Sequence, residues 1–333
     1  MSDIEVDPET ALKLYDAEAA EVARAEAERA KPPPERPRPI TALELLRMDI
    51  PPRRMLLAPY LPAEGSAMVY APRGIGKTWV SLSIAYAVAS GGETLGGRAP
   101  APARVLFLDG EMPLGQLQER LAAVAKGIGR ELPAEDYLRF LPASASRDGL
   151  PDLASPQGRE LVEELAEGVD LVVFDNLSSL ARYKENEADG WQPLQDLVLS
   201  LRRRSTTSLL VHHAGKGGQQ RGTSRREDLL DSVIALRRPD EYEATEGARF
   251  HWHYEKARGF QGDDAAPFEA VLHLDDTGAH WRVTPLVKTK QALAEELFAR
   301  NVPPKEIAAA CGVALGTVYR WKAAREGSGF DVH

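Results

Sequence analysis

The sequence predicts an α/β protein, a mostly parallel sheet flanked by helices, followed by a small helical domain. Three observations predict it. Short apolar runs alternate with helix-forming stretches from residue 66 to residue 212, the pattern of strand, crossover helix and strand. A glycine-bearing turn at 71–78 joins one apolar run directly to an apolar helix. Beyond residue 287 the character changes, because residues 288–326 hold seven basic side chains against four acidic ones, opposite in sign to the whole chain.

At 333 residues and 43% hydrophobic content, the chain can bury one large domain and has room for small appendages. No run approaches the roughly 18 apolar residues that cross a bilayer, and the first ten residues are acidic where a secretory leader is basic and then apolar. A cytoplasmic protein without membrane contact is expected. Cys311 is the single cysteine, which excludes an intrachain disulfide and a multi-cysteine metal site. A formal charge of −9 argues against a protein coated in nucleic acid, while local basic patches stay open to it.

Residues 1–39 form an appended arm. Positions 7–31 are rich in Ala, Glu and Arg, favouring a weakly amphipathic helix or a disordered acidic tail, and the prolines of 32–39 make a stiff linker. The main domain spans 40–287. Its strands are expected at 67–70, 105–109, 171–175, 208–212, 232–236 and 250–255, with helices between the early ones. After 232 the helices stop and strands at 268–274 and 280–284 follow closely, an antiparallel extension of the sheet. Residues 327–333 are a tail.

The turn after the first of these strands reads Ala-Pro-Arg-Gly-Ile-Gly-Lys-Thr from Ala71 to Thr78. It fits a phosphate cradle, with Ala71 where the P-loop pattern carries glycine. Glycines let successive amides point inward, Lys77 reaches the β and γ phosphates, and the Thr78 hydroxyl sits on Mg²⁺. The following helix places its positive end under the same phosphates. Arg73, Gly74, Ile75, Gly76, Lys77, Thr78 and Trp79 are therefore the nucleotide-binding candidates, with ATP and Mg²⁺ as ligands.

Hydrolysis needs further parts, each with a candidate. Four apolar residues ending in Asp175 have the Walker B form, making Asp175 the second metal ligand beside Thr78. Glu111 lies just past the strand 105–109, placed to activate water, with Asp109 as its competitor. His212 and His213 end another apolar strand and are suited to contact a phosphate oxygen. They lead into a glycine-rich segment, 214–224, in which Lys216, Gln219 and Arg221 suit a nucleic-acid backbone. That segment holds no aromatic residue for stacking on bases; Trp191, after Asp175, is a substitute or a packing residue.

The order of these segments, Ala71 to Thr78, Leu-Asp-Gly-Glu-Met at 108–112, the strand ending in Asp175, His-His-Ala-Gly-Lys at 212–216 and Arg-Gly-Thr-Ser at 221–224, resembles the RecA-like ATPases of the RepA hexameric replicative helicase family of plasmids and phages. The resemblance covers about residues 40–287. It implies Glu111 as catalytic glutamate, Asp175 as Walker B acid and one of the two histidines as sensor. It also implies a ring with ATP between subunits and single-stranded DNA as partner. Glu-Lys-Ala-Arg-Gly at 255–259 is similar to a pattern of related DnaB-type ring helicases, which makes Arg258 the arginine given to the neighbouring site and Lys256 its companion.

Three short helices are expected at 291–300, 304–311 and 316–324. Ala308, Gly312 and Val318 have helix-turn-helix spacing: a small residue for close approach, a turn glycine and a buried plug. The stretch 312–321 resembles the recognition segment of resolvase-like and phage regulatory proteins, with Ala314 where serine is usual. Thr317, Tyr319, Arg320 and Lys322 are then the duplex-DNA candidates, against a purely structural three-helix cap. The expected function is a ring-forming ATPase motor on DNA, with a nucleotide-gated DNA-binding regulator and a helicase loader as alternatives.

Overall fold

The computed structural model describes residues 38–181, 191–214, 228–286 and 290–327. Two compact units divide the chain, 1–52 and 53–333. In the first, Ala42–Arg47 forms one short helix, α1, started by a capping box between Thr41 and Glu44. Of the expected arm at 1–39, residues 1–37 lie outside the described residues.

The second unit is built on a nine-stranded sheet. Two small hairpins accompany it, β1 (Met55–Leu57) with β2 (Leu61–Pro62), and β4 (Glu93–Thr94) with β5 (Gly97–Arg98). The sheet strands are β3 (Ser66–Ala71), β6 (Val105–Asp109), β7 (Leu138–Pro142), β8 (Leu171–Asp175), β9 (Thr207–His213), β10 (Ser232–Arg237), β11 (Arg249–Ala257), β12 (Phe268–Asp275) and β13 (Gly278–Pro285). Their order is β13-β12-β11-β10-β3-β9-β8-β6-β7. From β10 to β7 every neighbouring pair is parallel, and β11, β12 and β13 add an antiparallel wing.

Each central strand is buried along its whole length around an apolar stretch because both faces are covered. Alternate residues enter different cores: Ala67, Val69, Phe107 and Val173 on one face, Met68, Tyr70, Leu108 and Phe174 on the other. Over the first face lies α2 (Lys77–Ser90), which is apolar almost all round and nearly wholly buried, with α3 (Leu114–Ile128) beside it. Both end on a left-handed glycine, Gly91 and Gly129. Over the other face lie α4 (Pro156–Leu165), α5 (Leu177–Leu180) and α6 (Gln192–Arg203).

Strands 105–109 and 171–175 agree with the sequence expectation to the residue, and the others extend by one to three residues. The edge strand β7 was not foreseen. Trp191 is 4% exposed in the core under α6, which rules it out as an exposed stacking platform. Among the described residues no helix is long and apolar enough to cross a membrane.

The carboxyl-terminal helices α7 (Lys290–Ala299), α8 (Pro304–Cys311) and α9 (Leu315–Gly327) share a small core of Ala294, Phe298, Ile307, Ala308, Cys311 and Val318. Gly312 turns the chain after α8 at φ 60°, and Val318 is fully buried, as the spacing predicted.

Candidate nucleotide-binding site

Parallel strands present their carboxyl ends to one rim of the sheet, where loops of separate elements converge. Here β3 leads into the turn before α2, and β6, β8 and β9 end at Asp109, Asp175 and His213. In register, His213 pairs with Ala71 and Asp109 with Asp175. One strand, β9, therefore separates the phosphate turn from the strand that carries Asp175.

These ends surround a cavity of about 670 Å³, lined among others by Gly74, Gly76, Lys77, Thr78, Glu111, Asp175 and His213. The size lies in the range that holds a nucleotide. Of the sequence candidates, Arg73 and Trp79 line it too. Ile75 turns its side chain into the core at 1% exposure, leaving only its main chain to face a ligand. Of the histidine pair, His213 reaches the cavity wall while His212 is fully buried. Lys256 and Arg258 stand elsewhere: Lys256 pairs with Val233, which pairs with Met68, so both lie toward the amino-terminal end of β3. Lys216, Gln219 and Arg221 lie outside the described residues. On the separate three-helix bundle, Tyr319, Arg320 and Lys322 are exposed and Thr317 is half-buried.

The turn itself is shaped for close main-chain approach. Gly74 and Gly76 have φ of 75° and 109°, where side chains are strained. A Cβ on Gly76 would also stand 2.8 Å from the Ala248 Cβ. Lys77, 7% exposed, donates its ammonium to the Ala71 and Pro72 carbonyls at 3.0 and 2.8 Å. Burial lowers its pKa to about 8, against the opposing pull of Asp175 and Glu111. An anion entering the cavity would relieve that cost directly.

Asp175 is 3% exposed. Burial raises its pKa, opposed by hydrogen bonds from Ser81 and Thr78 and by the Lys77 charge. Ser81 Oγ donates to Asp175 Oδ2 at 2.7 Å. Asp109 is likewise pushed up, to about 6, first by burial and then by the charges of Asp175 and Glu111. Its carboxylate accepts from the Met112 amide at 2.9 Å, closing the turn that carries Glu111. Asp109 is thus committed to the backbone, while Glu111 is exposed on the cavity wall.

Among the described residues no group of three or more His, Cys, Asp or Glu side chains could hold a metal alone. Mg²⁺ takes one or two protein ligands plus phosphate oxygens and water. Thr78 and Asp175 would supply the protein share.

Sequence reasoning missed the roof. The connection from β10 to β11 folds over the phosphate turn, bringing Tyr242, Ala244, Gly247 and Ala248 to the cavity. Arg238 stacks on the Tyr242 ring at 4.3 Å and donates to the Gly74 carbonyl at 3.2 Å. Arg249 holds this connection with ion pairs to Glu241, Glu246 and Glu269. On the opposite wall Arg120 lies over the Trp79 ring at 5.1 Å. No short motif marks these residues; only tertiary placement does.

The AAA domain family matches residues 31–219, more than half of the chain. Among solved structures, the KaiC-like protein PH0186 of the hyperthermophilic archaeon Pyrococcus horikoshii OT3 is similar at 14% identity and a TM-score of 0.47, over 68% of this chain and 93% of that one. With the lysine, the hydroxyl and the carboxylates gathered at the carboxyl rim of a parallel sheet inside the span that the family matches, the chain belongs to the AAA domain family and is a P-loop ATPase.

Proposed function

We propose that this ATPase is a ring-forming motor acting on DNA, a replicative helicase of the plasmid and phage type. The observation that carries the reading is the separation of Arg258 from its own cavity. β3 runs from Ser66 to Ala71 between them, a span of roughly 17 Å at the usual strand rise. One chain cannot bring Arg258 to its own phosphates, whereas a second copy can present it to the first. An arginine supplied in this way accelerates hydrolysis by about 10³ to 10⁵.

In this reading Lys77 and the turn amides hold the phosphates, and Glu111 takes a proton from the attacking water. Mg²⁺, when bound through Thr78 and Asp175, neutralises charge on the phosphates. His213, beside them, feels the γ position. β9 carries His213 straight into the segment at 214–224, whose Lys216, Gln219 and Arg221 would grip a single strand. The short covalent distance from sensor to grip is what couples hydrolysis to movement.

A second reading, a nucleotide-gated regulator of duplex DNA, is favoured by one feature. In α9, Val318 is buried while Tyr319, Arg320 and Lys322 are exposed, a face able to enter a groove.

The deciding experiment measures ATPase rate against protein concentration, with random single strands or duplex, alongside strand displacement. The motor gives a rate per subunit that rises steeply with concentration, stimulation by single strands, and displacement. A flat response to both concentration and single strands removes it, and tight sequence-specific duplex binding with unchanged turnover installs the regulator.

A further inference from the structure

At the end of the sheet away from the cavity, Asp231 is a carboxylate 4% exposed that the hydrolytic chemistry does not use. Four donors hold it. Arg53 reaches Oδ1 at 3.0 Å and Oδ2 at 3.4 Å, Arg202 reaches Oδ2 at 2.9 Å, and the Ser66 amide reaches Oδ2 at 3.0 Å. Its backbone is fixed at both ends, since its amide donates to the Ser66 carbonyl at 2.7 Å and its carbonyl accepts from the Arg258 amide at 2.8 Å. Arg202 also binds Ser66 Oγ and the Leu229 carbonyl, and Arg53 binds the Ala63 carbonyl. The cluster is so close to the chain that a Cβ on Gly65 would stand 2.9 Å from Arg53 Nη2 and 3.0 Å from Asp231 Oδ2.

A buried carboxylate with two guanidiniums is an expensive way to join strands, since well-packed apolar residues do as well or better for stability. What such a cluster does supply is a fixed position. Here the position fixed is that of the residue just past β11, Arg258, which is exposed and whose guanidinium has no partner among the described residues. The start of β3, the strand that ends in the phosphate turn, is fixed by the same carboxylate.

We propose that Asp231 is the positioning residue for Arg258: held by Arg53, Arg202 and the Ser66 amide, it sets where Arg258 leaves the sheet and so where that guanidinium meets the site of the next subunit. The inference rests on the reading of Arg258 as a residue given in trans. Burial raises the Asp231 pKa, but the Arg53 and Ser66 hydrogen bonds and the two arginine charges outweigh it and hold the carboxyl below its usual range.

The test is complementation between full-length chains co-expressed in pairs. Asp231→Asn alone should bind ATP within about twofold of the parent and turn over at least tenfold more slowly, the pattern of a lost transition-state contact. Lys77→Ala subunits lack a working cradle but carry an intact Arg258. Mixed with Asp231→Asn subunits, they should raise turnover about tenfold above either protein alone, because the intact cradles now receive well-placed arginines. A merely structural role for Asp231 would lower turnover without this recovery. The control pair is Arg258→Ala with Lys77→Ala. Recovery in the control but not with Asp231→Asn overturns the inference and leaves the trans arginine standing; parental turnover in Asp231→Asn alone also overturns it. No recovery in the control overturns the trans reading, and the inference with it. Should Asp231→Asn fail to fold, Arg202→Gln, which weakens the same cluster from its partly exposed side, must give the same pattern at smaller amplitude, and its absence counts against the inference equally.

Discussion

Ser81 stands one turn below Thr78 on α2 and donates its hydroxyl to Asp175 at 2.7 Å, tying the helix of the phosphate turn to the end of a strand two places away. The same Ser81 hydroxyl lies 3.1 Å from the Thr78 carbonyl. The two residues proposed to hold Mg²⁺ are thus joined through one side chain, which touches the carboxylate of one and the main chain of the other.

Replacing Ser81 with alanine should therefore act on the metal before it acts on the nucleotide. Loss of one hydrogen bond to a charged group is worth about 1.5 kcal/mol, so the Mg²⁺ concentration for half-maximal turnover rises roughly tenfold. ATPase titrated with Mg²⁺ at saturating ATP checks this. An unchanged Mg²⁺ requirement would remove Ser81 from the site.

The roof over the phosphate turn predicts a steric coupling. Gly76→Ala puts a methyl against Ala248 at a φ of 109°, costing about 1–3 kcal/mol in all. ATP affinity should fall by roughly tenfold or more. Adding Ala248→Gly removes the clash but not the backbone strain, so calorimetry should show a partial recovery.

Trp79, half-buried under Arg120, lines the cavity and gives an aromatic contact to whatever it holds. Trp79→Leu keeps an apolar side chain and loses the ring. The expected rise in KM for ATP is roughly 3–10-fold with kcat little changed, the size of one aromatic contact. Steady-state kinetics read it directly.

Asp109 gives a pH signature in the protein free of nucleotide and Mg²⁺. Folded, its carboxyl keeps its proton up to about 6, while the unfolded chain releases it near 3.8. The folded state binds the extra proton between those values, so this group's contribution to stability declines as pH rises through the window. Asp109→Asn keeps an acceptor for the Met112 amide and removes the titration. Its melting temperature should exceed the parent's at pH 7.5, on the order of 3–6 °C, with the gap closing toward pH 4. A constant gap across that range would contradict the assignment.

Much of this was legible in the chain itself. Val105–Asp109 and Leu171–Asp175 are wholly apolar up to a terminal acid because they are covered on both faces, and such strands announce their limits. The turn at 71–78 was legible for a similar reason, since its two positive-φ glycines, lysine and threonine stand within five contiguous residues. β7 was not, because as the outermost strand it is only half covered, and Arg139 and a closing proline interrupt its apolar run. Tyr242, Ala248 and Arg120 were illegible for a different cause. They reach the cavity from a turn and a helix whose local sequences say only that they are a turn and a helix, and Asp231 gathers arginines 178 and 29 residues away.

The central claim, that a triphosphate lies on the turn from Ala71 to Thr78 with the Lys77 ammonium upon it, is tested most directly by calorimetric titration of ATP with Mg²⁺ into Lys77→Ala. Loss of the charge-assisted hydrogen bonds from a buried ammonium should weaken binding by about 100-fold while the melting profile stays cooperative. Parental affinity in that folded variant would contradict the account.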